Sequence, residues 1–233
     1  MIIHGFQKMT LLDYPGKIAC IIFTAACNLR CPFCHNAGLV TKIEDTERIC
    51  ENEILAYLKK RQGILDGVCI TGGEPTLQRD LADFIRKIKA LGYAVKLDTN
   101  GTNPETLSAL LDEGLLDYVA MDIKNTQQKY ALTVDRPDFD LAPIQKSIDL
   151  LLEGRVDFEF RTTVVAEYHT PEDIAQIAQW ITPAKKYFLQ PFVDSGNVIG
   201  SSDGHLHAPD ATTLNEMLTA AQMTIPAAVL RGA

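Results

Sequence analysis

The chain has no run of about 18 apolar residues, so its sequence offers no membrane-spanning helix. Its N-terminus has no basic stretch leading into an apolar core and a cleavage site, and a cytoplasmic location is expected. Positive charge is in short supply: 22 Lys and Arg stand against 30 Asp and Glu, a net charge of -8. A broad electrostatic grip on nucleic acid or anionic lipid needs clustered Lys and Arg, so neither is expected as a partner. There is no low-complexity tract, no internal repeat and no sign of a second domain. Six cysteines in 233 residues do not make a disulfide framework. Three cluster at Cys27, Cys31 and Cys34; Cys20, Cys50 and Cys69 are scattered through apolar segments and read as core thiols. No second cysteine group with ferredoxin spacing follows, which argues against an auxiliary cluster.

With 46% hydrophobic residues, a chain of this length can build one full core, and a single domain over 1–233 is expected, with a loop and helix extension from about residue 193. Short β-branched or apolar runs alternate with amphipathic segments. They predict six strands, at 18–24, 67–71, 93–99, 118–123, 158–165 and 187–192. Helices are predicted at 51–62, 77–91, 104–113, 143–153 and 171–181, with a last one near 211–221. Asn103 and Thr170 precede a proline at the first helical position and are candidate caps, while Gly92, Gly114 and Gly154 stand where helices should stop. Such alternation implies parallel strands, either in an open doubly wound sheet or in a full or partial barrel.

Polar residues favour the barrel. Thr71-Gly72-Gly73-Glu74, Asp98-Thr99-Asn100-Gly101, Asp122-Ile123-Lys124 and Gln190 all fall at the C-terminal ends of strands, where barrels build their sites. In the fifth predicted strand Phe158 and Phe160 share one phase, and Glu159, Arg161 and Thr163 share the other, as for a polar lumen. An edge strand with one wet face would give the same pattern. The expected class is α/β, a partial (βα)6 barrel of the TIM-like type.

Cys27, Cys31 and Cys34 are three ligands of one kind with no fourth cysteine beside them, which suggests a metal centre with one open position. Their spacing leaves three readings open: an iron-sulfur site, a zinc site that recruits His35, and small hydrophobes on a buried helix face. Pro32, Asn28 and Arg30 make the last awkward. One strand later come Gly72 and Gly73, which let backbone approach a ligand closely, and Glu74, an anion suited to an ammonium group.

Taken together, Cys27-x3-Cys31-x-Phe33-Cys34 and the later Gly72-Gly73-Glu74-Pro75 resemble the radical S-adenosylmethionine (SAM) superfamily. The resemblance implies that three thiolates hold three irons of one [4Fe-4S] cluster while SAM chelates the fourth. Over most of its length the chain is similar to activases of glycyl radical enzymes, and most of all to those of anaerobic ribonucleoside-triphosphate reductase. Gly5-Phe6-Gln7, Asp13 to Lys17, Cys34-His35-Asn36, Asp98 to Gly101 and Met121 to Lys124 carry that likeness, the last two also matching pyruvate formate-lyase activase. It implies that an electron splits SAM into methionine and a 5′-deoxyadenosyl radical, which takes hydrogen from a glycine of a partner enzyme. A low-potential donor such as flavodoxin or ferredoxin would supply the electron.

By the same resemblance Asp98, Thr99 and Asp122 would hold a monovalent cation beside SAM, hard oxygens suiting such an ion. Asp122, Lys124 and Arg161 would surround methionine and ribose, with Asn100 near them, and the Phe33 to His35 backbone would lie near adenine. Asp13 would face the partner's glycine loop. Two departures stand out: Ala25-Ala26 precede the first cysteine where related activases carry glycine, and Gln190 stands where some have histidine near SAM. His205 and His207 could bind metal but read as exposed imidazoles on a loop.

Overall fold

A computed structural model describes residues 1–43, 47–194, 196, 198–200 and 206–232. One eight-stranded sheet runs in chain order: β1 (Ile3–Thr10), β2 (Ala19–Thr24), β3 (Gly67–Gly72), β4 (Ala94–Thr99), β5 (Tyr118–Asp122), β6 (Asp157–Val164), β7 (Tyr187–Pro191) and β8 (Val229–Leu230). β1 is antiparallel to β2, and every later neighbour is parallel. The helices are α1 (Ala37–Thr41), α2 (Glu51–Lys60), α3 (Leu81–Ala90), α4 (Pro104–Asp112), α5 (Tyr130–Thr133), α6 (Ala142–Leu152), α7 (Pro171–Trp180) and α8 (Ala211–Gln222). Each strand from β2 to β7 is followed by at least one helix, which is the (βα)6 pattern. β1 and β8 are the two edges, so the curved sheet is a partial barrel left open along one side.

The core between sheet and helices follows from spacing. α3 buries Leu81, Phe84, Ile85 and Ile88, an i, i+3, i+4, i+7 stripe. α7 starts with a reciprocal cap: Thr170 Oγ1 accepts from the Asp173 amide and the Asp173 carboxylate from the Thr170 amide at 2.9 Å. Gly92, Gly114 and Gly154 adopt positive φ just past helix ends, as their positions predict. No helix among the described residues is long and apolar enough to cross a membrane.

Four expectations need correction. β1 and β8 were not predicted: β1 is largely half-exposed and lacks clean alternation, and β8 has two residues. The helix expected over 77–91 is a 3₁₀ turn at Pro75–Leu77 and then α3, because the Glu74 side chain caps the short turn at Thr76 N and the chain extends again at Gln78. Asn103 makes no side-chain cap; its Nδ2 donates to Thr76 O at 3.1 Å. Cys50 is exposed rather than a core thiol, since it sits in extended backbone at the start of α2.

The N-terminal end of the barrel is filled. Tyr14, Ala19 and Tyr118 form a small buried cluster with Ala94 against it. Glu159 is fully buried there, accepting from Arg231 at 2.6 and 3.0 Å and from the Tyr118 hydroxyl at 2.8 Å.

Candidate active site

The chain leaves β2 into a loop that carries the three cysteines and is fastened from several sides. Ala25 N donates to Ile2 O, Ala26 N to Leu39 O, Arg30 N to Val134 O, and Gly200 N to Pro32 O, all at 2.7–3.1 Å. Gln78 Nε2 donates to Ala25 O, and Arg136 to Asn28 O. Ala26 adopts φ 73°, the left-handed region that favours glycine.

The two glycines after β3 are forced by this loop. A Cβ on Gly73 would lie 1.9 Å from Ala26 O, and one on Gly72 would lie 2.3 Å from Thr24 N and O. Their polar groups are engaged too: Gly73 N donates to Thr24 O, Glu74 N to Ala26 O, and Asn36 Nδ2 to Gly72 O. Strand end and cysteine loop are thus locked backbone to backbone. Glu74 is fully buried and does not line the cavity: its carboxylate accepts from Thr76 N and Oγ1, Thr99 Oγ1 and Asn100 N. Burial raises its pKa, and those donors oppose the rise. Its part here is to tie the end of β3 to the end of β4.

Above these strand ends lies a cavity of about 320 Å³. Cys27, Cys31, Cys34, Phe33 and His35 line it from the loop; Gly72, Gly73, Asp98, Thr99, Asn100, Asp122, Lys124, Arg161 and Gln190 line it from five strand ends. Except for Glu74, every candidate residue named from the sequence for the cluster, SAM or partner faces this one space, and Asp13 joins it from the turn after β1. That turn lies at the start of β2 and the cysteines follow its end, so the cavity reaches through the barrel interior. His35 stacks on Phe192 and its Nε2 lies 2.7 Å from Val193 O; Phe33 packs against Tyr168 and His169. His207 pairs with Glu167 at 2.7 Å, while His205 lies outside the described residues.

Charge alternates across three adjacent strands. Asp98 pairs with Lys96 and, at 3.1 Å, with Arg161; Arg161 Nε donates to Asp122 Oδ1 at 2.9 Å, and Asp122 Oδ2 takes Lys124 at 3.0 Å. Arg161 on β6 reaches Asp98 on β4 across Ala120, a methyl group in the intervening strand. Burial alone would raise the Asp122 carboxyl, yet Arg161 and Lys124 hold it at about 2. Asp98 is lowered in the same way by Arg161 and Lys96 against its burial. Lys96 went unnoticed in the sequence. Its signal was a lysine two residues before Asp98, in the same phase of a strand otherwise apolar.

The donor set fits an iron-sulfur cluster. Three thiols open onto one cavity, and Cys27 Sγ also accepts from Leu29 N at 3.4 Å and Asn100 Nδ2 at 3.7 Å, bonds that suit a thiolate. Burial pushes the Cys31 thiol up to about 12 and raises Cys27, so bound iron would have to supply the charge that makes them thiolates. Among the described residues no three His, Cys, Asp or Glu are gathered so as to hold a single metal ion.

A partial (βα)6 barrel with three cysteines on the loop after its first parallel strand is the architecture of radical SAM enzymes, and the Radical SAM superfamily model matches residues 21–181. The chain belongs to that superfamily, which implies a [4Fe-4S] cluster and SAM, and within it to the glycyl radical enzyme activating enzymes. A Methanocaldococcus jannaschii protein described as a glycyl-radical enzyme activating enzyme is 36% identical over 195 residues, 82% of this chain and 80% of that protein. The pyruvate formate-lyase-activating enzyme of Listeria monocytogenes is 30% identical over 192 residues, covering 77% of this chain and 75% of its own. Streptococcus suis SuiB bound to S-adenosylmethionine shares the fold at 16% identity with a TM-score of 0.64; the match covers 89% of this chain and 48% of SuiB.

Proposed function

We propose that the chain generates a glycyl radical on a partner enzyme, with anaerobic ribonucleoside-triphosphate reductase as the first candidate. The observation that carries the reading is one cavity lined at one end by three cysteines and at the other by Asp13, with a ladder of paired charges between. Cys27, Cys31 and Cys34 would hold the cluster. Asp122, Lys124 and Arg161 would bind the methionine and ribose parts of SAM, with Asn100 and Gln190 beside them, and Phe33 and His35 would flank adenine. When bound, the cluster and SAM supply the electron transfer and the hydrogen abstraction.

The chain's own residues do the positioning. Glu74 acts through its neighbours, fixing the Asn100 amide at 2.6 Å and the Thr99 hydroxyl at 2.8 Å, and Asn100 in turn donates to Cys27 Sγ. Arg161 keeps Asp98 and Asp122 ionised and apart, so that their fixed charges need no rearrangement when a charged ligand enters. Asp13 follows Leu11 and Leu12, which are 68% and 88% exposed, a turn suited to meeting an apolar protein surface beside the cavity. A monovalent cation at Asp98, Thr99 and Asp122 would have to displace ammonium or guanidinium groups already there.

The test is to incubate the reconstituted, reduced protein with SAM and, separately, anaerobic ribonucleotide reductase or pyruvate formate-lyase, then look for a glycyl radical by electron paramagnetic resonance. Flavodoxin and ferredoxin can be compared as electron donors in the same assay. A radical on the reductase alone supports the first candidate, and one on pyruvate formate-lyase alone moves the assignment to that partner. SAM cleavage with a radical on neither would overturn the activase reading in favour of a small-molecule or peptide substrate.

A further inference from the structure

In the two carboxylates at the centre of the cavity wall, every oxygen already has a cationic partner. Asp98 Oδ1 is held by Lys96 and Oδ2 by Arg161; Asp122 Oδ1 is held by Arg161 and Oδ2 by Lys124. Thr99, the third residue where a cation is expected by resemblance, donates its hydroxyl to Glu74 at 2.8 Å and accepts from Gly101 N at 3.1 Å. An alkali-metal ion takes oxygen ligands and would have to compete with five nitrogen donors already engaged on them. Charge points the same way: Lys96, Arg161 and Lys124 already pair with both carboxylates, so a further cation would find neither Asp98 nor Asp122 without a positive partner.

The odd member of this set is Lys96. Arg161 and Lys124 line the cavity and can turn towards a ligand, whereas Lys96 is 1% exposed and lies beneath, paired with Asp98 and 3.8 Å from the Cys69 sulfur. Cys69 Sγ is itself 3.7 Å from Asp98 Oδ1. A buried ammonium with one carboxylate partner contacts no ligand; it neutralises and orients that partner. We infer that Lys96 is a built-in counterion for Asp98, a positioning residue that makes this site independent of alkali-metal ions.

The inference concerns charges within the chain and does not depend on which partner the enzyme activates. The unmodified protein provides the first test: thermal unfolding of the cluster-free chain and SAM affinity of the reconstituted one, each in potassium, sodium and tetramethylammonium chloride at equal ionic strength. Melting temperatures within about 1 °C and affinities within about twofold across the three salts are expected. Lys96→Met frees Asp98 Oδ1 and should lower the melting temperature by about 10 °C, part of which potassium or sodium restores and tetramethylammonium does not. Lys96→Arg should keep the indifference to salt. An unmodified protein whose SAM affinity drops about tenfold without an alkali ion would overturn the inference, whether or not Lys96→Met folds. Such a result would leave the activase reading intact, just as a missing glycyl radical would leave Lys96 in place.

Discussion

At the base of the barrel, Glu159 is fully buried with Arg231 on both oxygens and the Tyr118 hydroxyl on one, and the guanidinium lies 3.5 Å from the centre of the Phe188 ring. At the mouth, Asp98 and Asp122 are paired just as fully, yet they line an open space of about 320 Å³. The ion pairing is alike, so it is the packing around it that differs. The base recruits its cation from the segment after β8 and lays it on the Phe188 ring, with Tyr14 packed in the same cluster as Tyr118. The mouth takes its cations from β4, β6 and the segment after β5, and Asp98, Asp122, Lys124 and Arg161 all line the cavity. Buried charge closes one end of the lumen and lines a binding space at the other.

Substitutions can test that contrast. Cys31→Ala should abolish cluster retention and SAM cleavage, measured as iron content and methionine release; a variant with full turnover would remove the mouth's claim to chemistry. Arg161→Gln takes away the cation shared by two carboxylates and should cost about 3–5 kcal/mol of stability together with at least about a tenfold loss of SAM affinity. Arg231→Ala leaves Glu159 buried with only Tyr118 and should cost about 3 kcal/mol in denaturant unfolding, with SAM affinity within about twofold of the parent. Equal losses of SAM affinity in the two arginine variants would erase the distinction between the ends. Acid provides a finer probe. Asp122 titrates near 2 in the fold against an ordinary value of 3.8, so its stabilisation is complete above about pH 4 and fades as pH falls towards 2. That contribution is about 2 kcal/mol and should be missing from the acid-unfolding curve of Asp122→Asn. The smallest expected effect is at Ala26: glycine relieves the left-handed backbone at a cost in chain entropy, for a net gain of about 0.5–1 kcal/mol in melting experiments.

How much of this was legible depended on what each residue does. All six parallel strands from β2 to β7 could be read because short β-branched or apolar runs alternated with amphipathic helical segments, and the candidate polar residues at their C-terminal ends converge as a barrel requires. β1 could not be read, since a half-exposed edge strand with Gly5, Gln7 and Lys8 carries no burial pattern. Glu74 was legible as an important carboxylate but not as a brace, because only the fold shows that Thr76, Thr99 and Asn100 surround it. Lys96 was invisible for the opposite reason: a lysine in a strand suggests a wet edge, and Arg161, which shares its partner Asp98, arrives from two strands away.

The interlock at Ala26 sets how metal can be loaded. Its carbonyl is gripped by the Glu74 amide and its amide by Leu39, with no room at Gly73 for a methyl group between them. A loop held this way cannot wait as a floppy strand for iron to gather it. Assembly should therefore proceed as capture by a ready-made socket, its pace set by delivery of iron and sulfide and not by any refolding of the polypeptide.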